Sequence, residues 1–166
     1  MKARLDGKVA IVTGAAGDIG SETVALMLAR GASVVGVDAD AAALARLRAT
    51  VGSAAAFLAV QADVTQEPAV AGYVEAALSA FGRVDVLFNN AGVAGGPSAA
   101  WRLTPEVTKA DFQAIFAVNV TGVFLGMKHA KPAMLATGGG SIDNTSSVEV
   151  CGRGRARSPI PPRRPR

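Results

Sequence analysis

The chain has 166 residues, is 50% hydrophobic and holds 19 glycines, which fits one α/β domain large enough to bury a core. Its formal charge of +4 is uneven: of 17 Lys and Arg, six arginines lie beyond Cys151, leaving 11 against 13 Asp and Glu in the body. The slightly acidic body offers no nucleic-acid surface, and the single cysteine excludes an intrachain disulfide.

In chain order, KVAIVTG (8–14) is a short β-branched run ending in glycine and reads as a buried strand. The segment 19–30 then places Ile19, Val24, Leu26 and Leu28 around a helix. ASVVGVD (32–38) is a second strand, and the Ala/Leu/Arg-rich 41–51 a second helix. AAFLAVQADV (55–64) reads as the third strand, followed by a helix over 69–81 that carries Val70, Val74, Ala77 and Leu78. VDVLFNNAG (84–92) is the fourth strand, and 112–135 the longest helix, in which Pro132 implies a kink or a late restart. SIDNTSS (141–147) is the fifth strand, with Asp143 where both faces should be apolar. An unpaired charge there would cost several kcal/mol.

Strand and helix alternate with short loops, which implies right-handed βαβ units. The fold class is α/β, a doubly wound parallel sheet (Rossmann fold) with strand order 3-2-1-4-5. Residues 1–150 form the domain and 151–166 an Arg/Pro-rich tail expected to be disordered. In MKARLDGKVAIVTG, charges interrupt an apolar run too short for a signal sequence. No apolar run approaches the roughly 18 residues of a bilayer span, so the cytoplasm is the expected address.

TGAAGDIG (13–20) sits where the first strand gives way to a helix. Gly14, Gly17 and Gly20 would let the backbone turn tightly and approach a pyrophosphate, whose charge is stabilised by free N–H groups at the helix start. The spacing is G-x-x-G-x-x-G, and by itself a plain glycine turn fits it equally well. Asp38 closes the second strand, where a ribose hydroxyl would need an acceptor. Its alternative is to cap the following helix, a task Asp40 could perform instead.

These motifs, with ADV (62–64), NNAG (89–92), VNVTGVF (118–124) and SIDNTSS in the same order, resemble those of the short-chain dehydrogenase/reductases over residues 7 to about 148. The resemblance implies NAD as cofactor, with Gly14, Gly17, Asp18, Ile19 and Gly20 at the pyrophosphate. It places Asp38 at the ribose, and Asp63 beside Val64 at the adenine. Asn90, Ala91 and Gly92 would brace the sheet against the cofactor. Asp18 stands where the family usually has glycine. It favours the helix start by about 0.3–1 kcal/mol but brings a carboxylate near the diphosphate.

Hydride transfer between a carbinol carbon and nicotinamide leaves an alcohol proton to be exchanged, which requires a group of tuned pKa and a donor that holds the oxygen. By resemblance Ser147 is that donor, and Asn119 holds a water in a proton relay to a lysine. Read from the residues alone, Asn119 is a helix-interior amide bonding a neighbouring carbonyl. The family's tyrosine, and the lysine four residues beyond it, should follow Ser147 by about a dozen residues and do not. Tyr73 is the only tyrosine, and the lysines after Asn119, Lys128 and Lys131, precede Ser147.

His129 lacks a second ligand at metal spacing and reads as a surface or interface residue, so no metal is expected. Trp101 either covers the core edge or lies on the substrate side. The tail, GRGRARSPIPPRRPR, reads as sequence never selected as protein. Codons for SPIPPRRPR, read one nucleotide earlier, permit Ala-Tyr-Thr-Ala-Ser-Lys, so a frameshift near Val148 would account for the missing pair. The expected function is NAD-dependent oxidoreduction of a secondary alcohol or ketone by a C-terminally truncated, inactive chain. The alternative is a non-catalytic nucleotide-binding module with a basic tail that contacts nucleic acid. Under the first reading the partner is a small-molecule alcohol or ketone, with no nucleic acid and no membrane. Intact family members are usually homo-oligomers.

Overall fold

The computed structural model describes residues 4–52, 55–93 and 107–146. Its strands are β1 (Val9–Thr13), β2 (Ser33–Asp38), β3 (Phe57–Gln61), β4 (Val86–Asn89) and β5 (Ser141–Asn144). They form one parallel sheet in the order β3-β2-β1-β4-β5, as expected for a doubly wound Rossmann fold. Its helices are α1 (Asp18–Ala29), α2 (Ala41–Val51), α3 (Glu67–Phe81), α4 (Lys109–Phe116) and α5 (Val123–Ala136), with a π-helical segment, Ala117–Gly122, joining α4 to α5.

Alternation along each strand divides the core between the two faces. Ile11, Val35, Val37 and Leu87 face α3 and α5, meeting Val70, Tyr73, Val74, Leu125, Ala130 and Met134. Ala10, Val12 and Val34 face the other way, toward Val24 of α1 and Leu47 of α2. Because both faces are covered, β1 is buried at every position, and each such Val or Ile contributes about 1.5–3 kcal/mol of burial. Gly36 in β2 is required by packing, since a Cβ there would lie 2.8 Å from the Phe57 ring.

At the N-terminal ends of β1 and β4, Asp85 is buried, 5% exposed, and accepts from four donors. Arg83 Nε and Nη2 approach at 2.7 Å, Lys8 Nζ at 3.0 Å and the Val9 amide at 3.0 Å. The Arg83 guanidinium, with help from the Val9 N–H and Lys8, holds this carboxyl well below the usual carboxylate range.

Four expectations are corrected. The runs 55–64 and 84–92 are strand only over Phe57–Gln61 and Val86–Asn89, because their C-terminal residues leave the ladder as loops. Of the two outcomes expected at Pro132, a kink or a late restart, the restart does not occur, since α5 continues through it. Asp143 is exposed, not buried: β5 carries polar Ser141, Asp143 and Asn144 on exposed positions, so no desolvation cost arises. Finally, the continuous helix Lys109–Ala136 has 28 residues and a window of mean hydropathy 1.4, which by length and composition alone is enough to cross a membrane. The sequence hides this because Gln113, Asn119 and Thr121 interrupt the run without charging it. Here α5 packs one face on α3 and β4 through Leu125, Ala130 and Met134, while Phe112, Phe116, Val120 and Phe124 stay exposed.

Candidate functional site

The site is built at the C-terminal ends of the strands, where a doubly wound sheet leaves a crevice. After β1 the chain turns at Gly14, whose φ of +62 and whose neighbour Ala91 leave no room for a side chain: a Cβ would stand 2.9 Å from the Ala91 Cα. Gly17 precedes α1, and Gly20 in its first turn lies so close to the preceding strand end that a Cβ would be 2.1 Å from the Gly14 carbonyl oxygen. The first helical bond runs from Ser21 N–H to the Gly17 carbonyl at 2.8 Å. The N–H groups of residues 18–20 thus have no helical acceptor, and with the dipole they make the helix start favourable to an anion.

Asp38, half-buried at the end of β2, is fixed by backbone donors: Ala16 N–H to Oδ2 at 3.0 Å and Asp40 N–H to Oδ1 at 3.1 Å. It does not cap α2. Asp40 does so, accepting from Ala43 N–H at 2.9 Å, which excludes the cap reading of Asp38. Beyond β3, the exposed Asp63 accepts from Thr65 N–H at 2.9 Å. Val64 is buried against the π segment, where a Cβ on Gly122 would come within 2.8 Å of it.

Beyond β4, the chain is tied to the glycine turn. The amides of Asn90 and Ala91 both donate to Thr13 Oγ1 at 3.0 Å, and Asn90 Nδ2 donates to the Thr13 and Gly14 carbonyls at 3.1 and 3.2 Å. Asn89, buried, donates to Asn144 Oδ1 at 2.9 Å, and Thr145 Oγ1 donates to Asn90 Oδ1 at 3.3 Å, so the end of β5 is fastened to the same corner. Sequence reading did not single out Thr13, Asn89, Asn144 or Thr145 as site residues. The only local signal was that all four fall inside motifs, and their partners are far away in sequence.

Together these segments enclose a cleft of about 470 Å³. Gly14, Gly17, Asp18, Ile19, Gly20, Asp38, Asp63, Val64, Asn90, Ala91 and Gly92 all line it, joined by Val37, Ala39, Ala62, Val93 and Val118. Among the described residues, three carboxylates and no lysine or arginine lie on its walls.

Asn119 lies in the π segment at the rim. Its side chain makes two reciprocal bonds to one loop residue, accepting from Val93 N–H and donating to the Val93 carbonyl, both at 2.9 Å. The carbonyl partner thus lies on a loop 26 positions away rather than next along the helix, and the amide keeps a second N–H and a second oxygen lone pair outside these bonds. Ser147, Trp101 and the tail lie outside the described residues. His129 is partly buried, and its Nε2 stands 3.0 Å from Glu67 Oε1, which also receives Lys128 Nζ at 2.6 Å. Among the described residues no cluster of His, Cys, Asp or Glu is arranged to hold a metal ion.

A family profile described as short chain dehydrogenase matches residues 8–157. Momilactone A synthase of Oryza sativa subsp. japonica is 44% identical over 153 residues, which cover 92% of this chain and 54% of that protein. Secoisolariciresinol dehydrogenase of Forsythia intermedia is 38% identical over 145 residues, covering 87% of this chain and 51% of that one. A short chain dehydrogenase/reductase from Burkholderia phymatum, solved in complex with NAD, superposes with a TM-score of 0.82 at 37% identity, covering 91% of this chain and 53% of its own. A 3-ketoacyl-(acyl-carrier-protein) reductase from Brucella melitensis, complexed with NADH, gives 0.79 at 38% identity, covering 87% and 59%. The chain spans about half the length of the curated relatives it matches. With a matched region that runs from β1 past β5 and a cleft assembled from the same motifs, the chain belongs to the short-chain dehydrogenase family.

Proposed function

We propose that residues 1–150 form an NAD-binding domain of an oxidoreductase lineage acting on secondary alcohols or ketones, and that the chain itself does not turn over substrate. The observation that carries the binding half is the convergence of the glycine turn, Asp38, Asp63 with Val64, and Asn90 to Gly92 on one cleft. NAD fits the residues present. Gly20 leaves a concave surface at the helix start that any side chain would fill, and the N–H groups there suit a diphosphate. Asp38, already oriented by two backbone amides, offers remaining lone pairs to a ribose diol. Asp63 and Val64 supply a polar edge and an apolar face for adenine, and Asn90 to Gly92 form the inner wall. The solved relatives that carry NAD or NADH support this assignment.

When bound, NAD supplies the hydride acceptor. The chain's own contribution would be Ser147 as hydrogen-bond donor to the substrate oxygen, with Asn119 holding the loop at Val93. No tyrosine or lysine follows Ser147 in the sequence to exchange the alcohol proton. Where a tyrosine and a lysine are wanted, residues 159–164 read PIPPRR. That absence favours the second reading, a non-catalytic nucleotide-binding module. Residues 151–166 then have no part in catalysis, and sequencing the coding DNA for Tyr and Lys codons in the preceding frame tests their origin.

Calorimetric titration tests the binding half. NAD is expected to bind more tightly than NADP, because a 2′-phosphate would meet the Asp38 carboxylate with no lysine or arginine among the described wall residues, and Asp38→Ala should erase the preference. Equal or tighter NADP binding by the unmodified chain would sink this reading. Dehydrogenase turnover on the order of 1–1000 per second would sink the inactive one.

A further inference from the structure

Resting on the NAD reading above, we propose that Asp18 is a specificity-determining residue that grades ligands of the cleft by charge, so that its carboxylate weakens the reduced dinucleotide more than the oxidised one. The three wall carboxylates are not equivalent. Asp38 accepts from two backbone amides and Asp63 from one, so part of each charge is already compensated. The Asp18 carboxylate has no hydrogen-bond or ion-pair partner among the described residues; only its main-chain oxygen is engaged, by Ser21 Oγ at 3.1 Å.

Asp18 is also the first residue of α1, at the positive end of the helix and beside the amides of residues 18–20. A diphosphate seated on those amides and the Asp18 side chain therefore compete for the same positive field. Among the described residues no lysine or arginine lines the cleft to offset this. The effect on a ligand must follow its charge. Adenosine, uncharged, is indifferent to Asp18. NADH brings a diphosphate and a neutral ring and meets repulsion. NAD+ brings the same diphosphate with a cationic nicotinamide, which cancels part of it. Asp18 thus sets the cleft against the usual advantage of glycine at this point: it stabilises the helix and weakens the ligand.

The test is calorimetric titration of the full chain and of Asp18→Asn and Asp18→Glu with adenosine, NAD+ and NADH, at about 0.02 M and about 0.5 M salt. Asp18→Asn should tighten NADH by about threefold or more at low salt, the scale of one screened unit-charge interaction. NAD+ should gain less and adenosine nothing, and the gains should collapse at high salt. Asp18→Glu should behave like the unmodified chain, and Asp18→Asn should unfold at slightly lower temperature, opposite in sign to its gain in affinity. An unchanged or weaker NADH affinity in Asp18→Asn, or an equal gain for adenosine, overturns the inference while leaving the NAD reading intact. No binding of any ligand to any variant overturns the NAD reading and this inference with it.

Discussion

Replacing Asp85 by Asn removes the charge that joins the starts of β1 and β4 while keeping the side chain's shape. Asp85 is 5% exposed and receives four donors, two from Arg83 at 2.7 Å and one each from Lys8 and the Val9 amide at 3.0 Å. Removing one partner of a fully buried ion pair costs about 3–5 kcal/mol. Lys8 and Arg83 are 50% and 37% exposed, so both cations regain water, and we discount the cost to about 2–3 kcal/mol. The pH dependence has a definite sign. The folded state holds this carboxyl below its ordinary value, so between the two pKa values the unfolded chain binds more protons. Its stabilisation is complete above the unfolded pKa of about 3.9 and is lost as pH falls toward the folded one. Urea unfolding at pH 7 and at pH 3 measures both effects. Asp85→Asn should be weaker at pH 7, and the gap to the unmodified chain should narrow at pH 3. A difference below about 0.5 kcal/mol at pH 7, or one that widens in acid, would refute the assignment of Asp85 as the clamp.

Gly20→Ala forces a Cβ to 2.1 Å from the Gly14 oxygen, a backbone atom that cannot yield. It should cost about 2–3 kcal/mol in denaturant unfolding and abolish NAD binding; retained affinity would mean that α1 does not need this approach. Tyr73 is fully buried, its hydroxyl has no partner among the described residues, and burial pushes its phenol up to about 12. Tyr73→Phe should therefore leave stability unchanged or raise it by about 1 kcal/mol in the same assay, and a comparable loss would reveal a partner for the oxygen. Phe112, Phe116, Val120 and Phe124 form an exposed row at helical spacing, 47 to 56% exposed. Phe116→Asp should reduce concentration-dependent self-association in analytical ultracentrifugation, and an unchanged distribution would show that this row does not drive it.

The architecture was legible because its signals are local. A β-branched run bounded by Gly, Asp or Asn marks a buried strand and an apolar stripe a helix face, so alternation pointed to a doubly wound sheet, for which β3-β2-β1-β4-β5 is a common order. The glycine turn was legible as a spacing, whereas the reason Gly14 admits no side chain, its approach to Ala91, lies 77 positions away. The long helix was legible as a helix. Its π segment was not, because the segment is tied by Asn119 to Val93, a contact 26 positions distant that leaves no periodic mark on AVNVTG.

The sequence by itself determined the fold class, the family motifs and the residues that converge on one cleft. Only the tertiary structure decided what each polar group does there. Asp38 and Asp40 are equally plausible caps in DAD, and it is the approach of Ala16 across 22 positions that commits Asp38 to the cleft. Thr13 looks like any strand-ending threonine until β4 brings two amides to its hydroxyl from 77 and 78 positions away. Asp143 looked like a buried charge until β5 proved to have exposed positions on both sides of Ile142. The physical reason is the same in each case. Main-chain conformation answers to neighbours in sequence, whereas the partner and the solvent exposure of a polar side chain depend on which distant strand or turn the fold lays beside it.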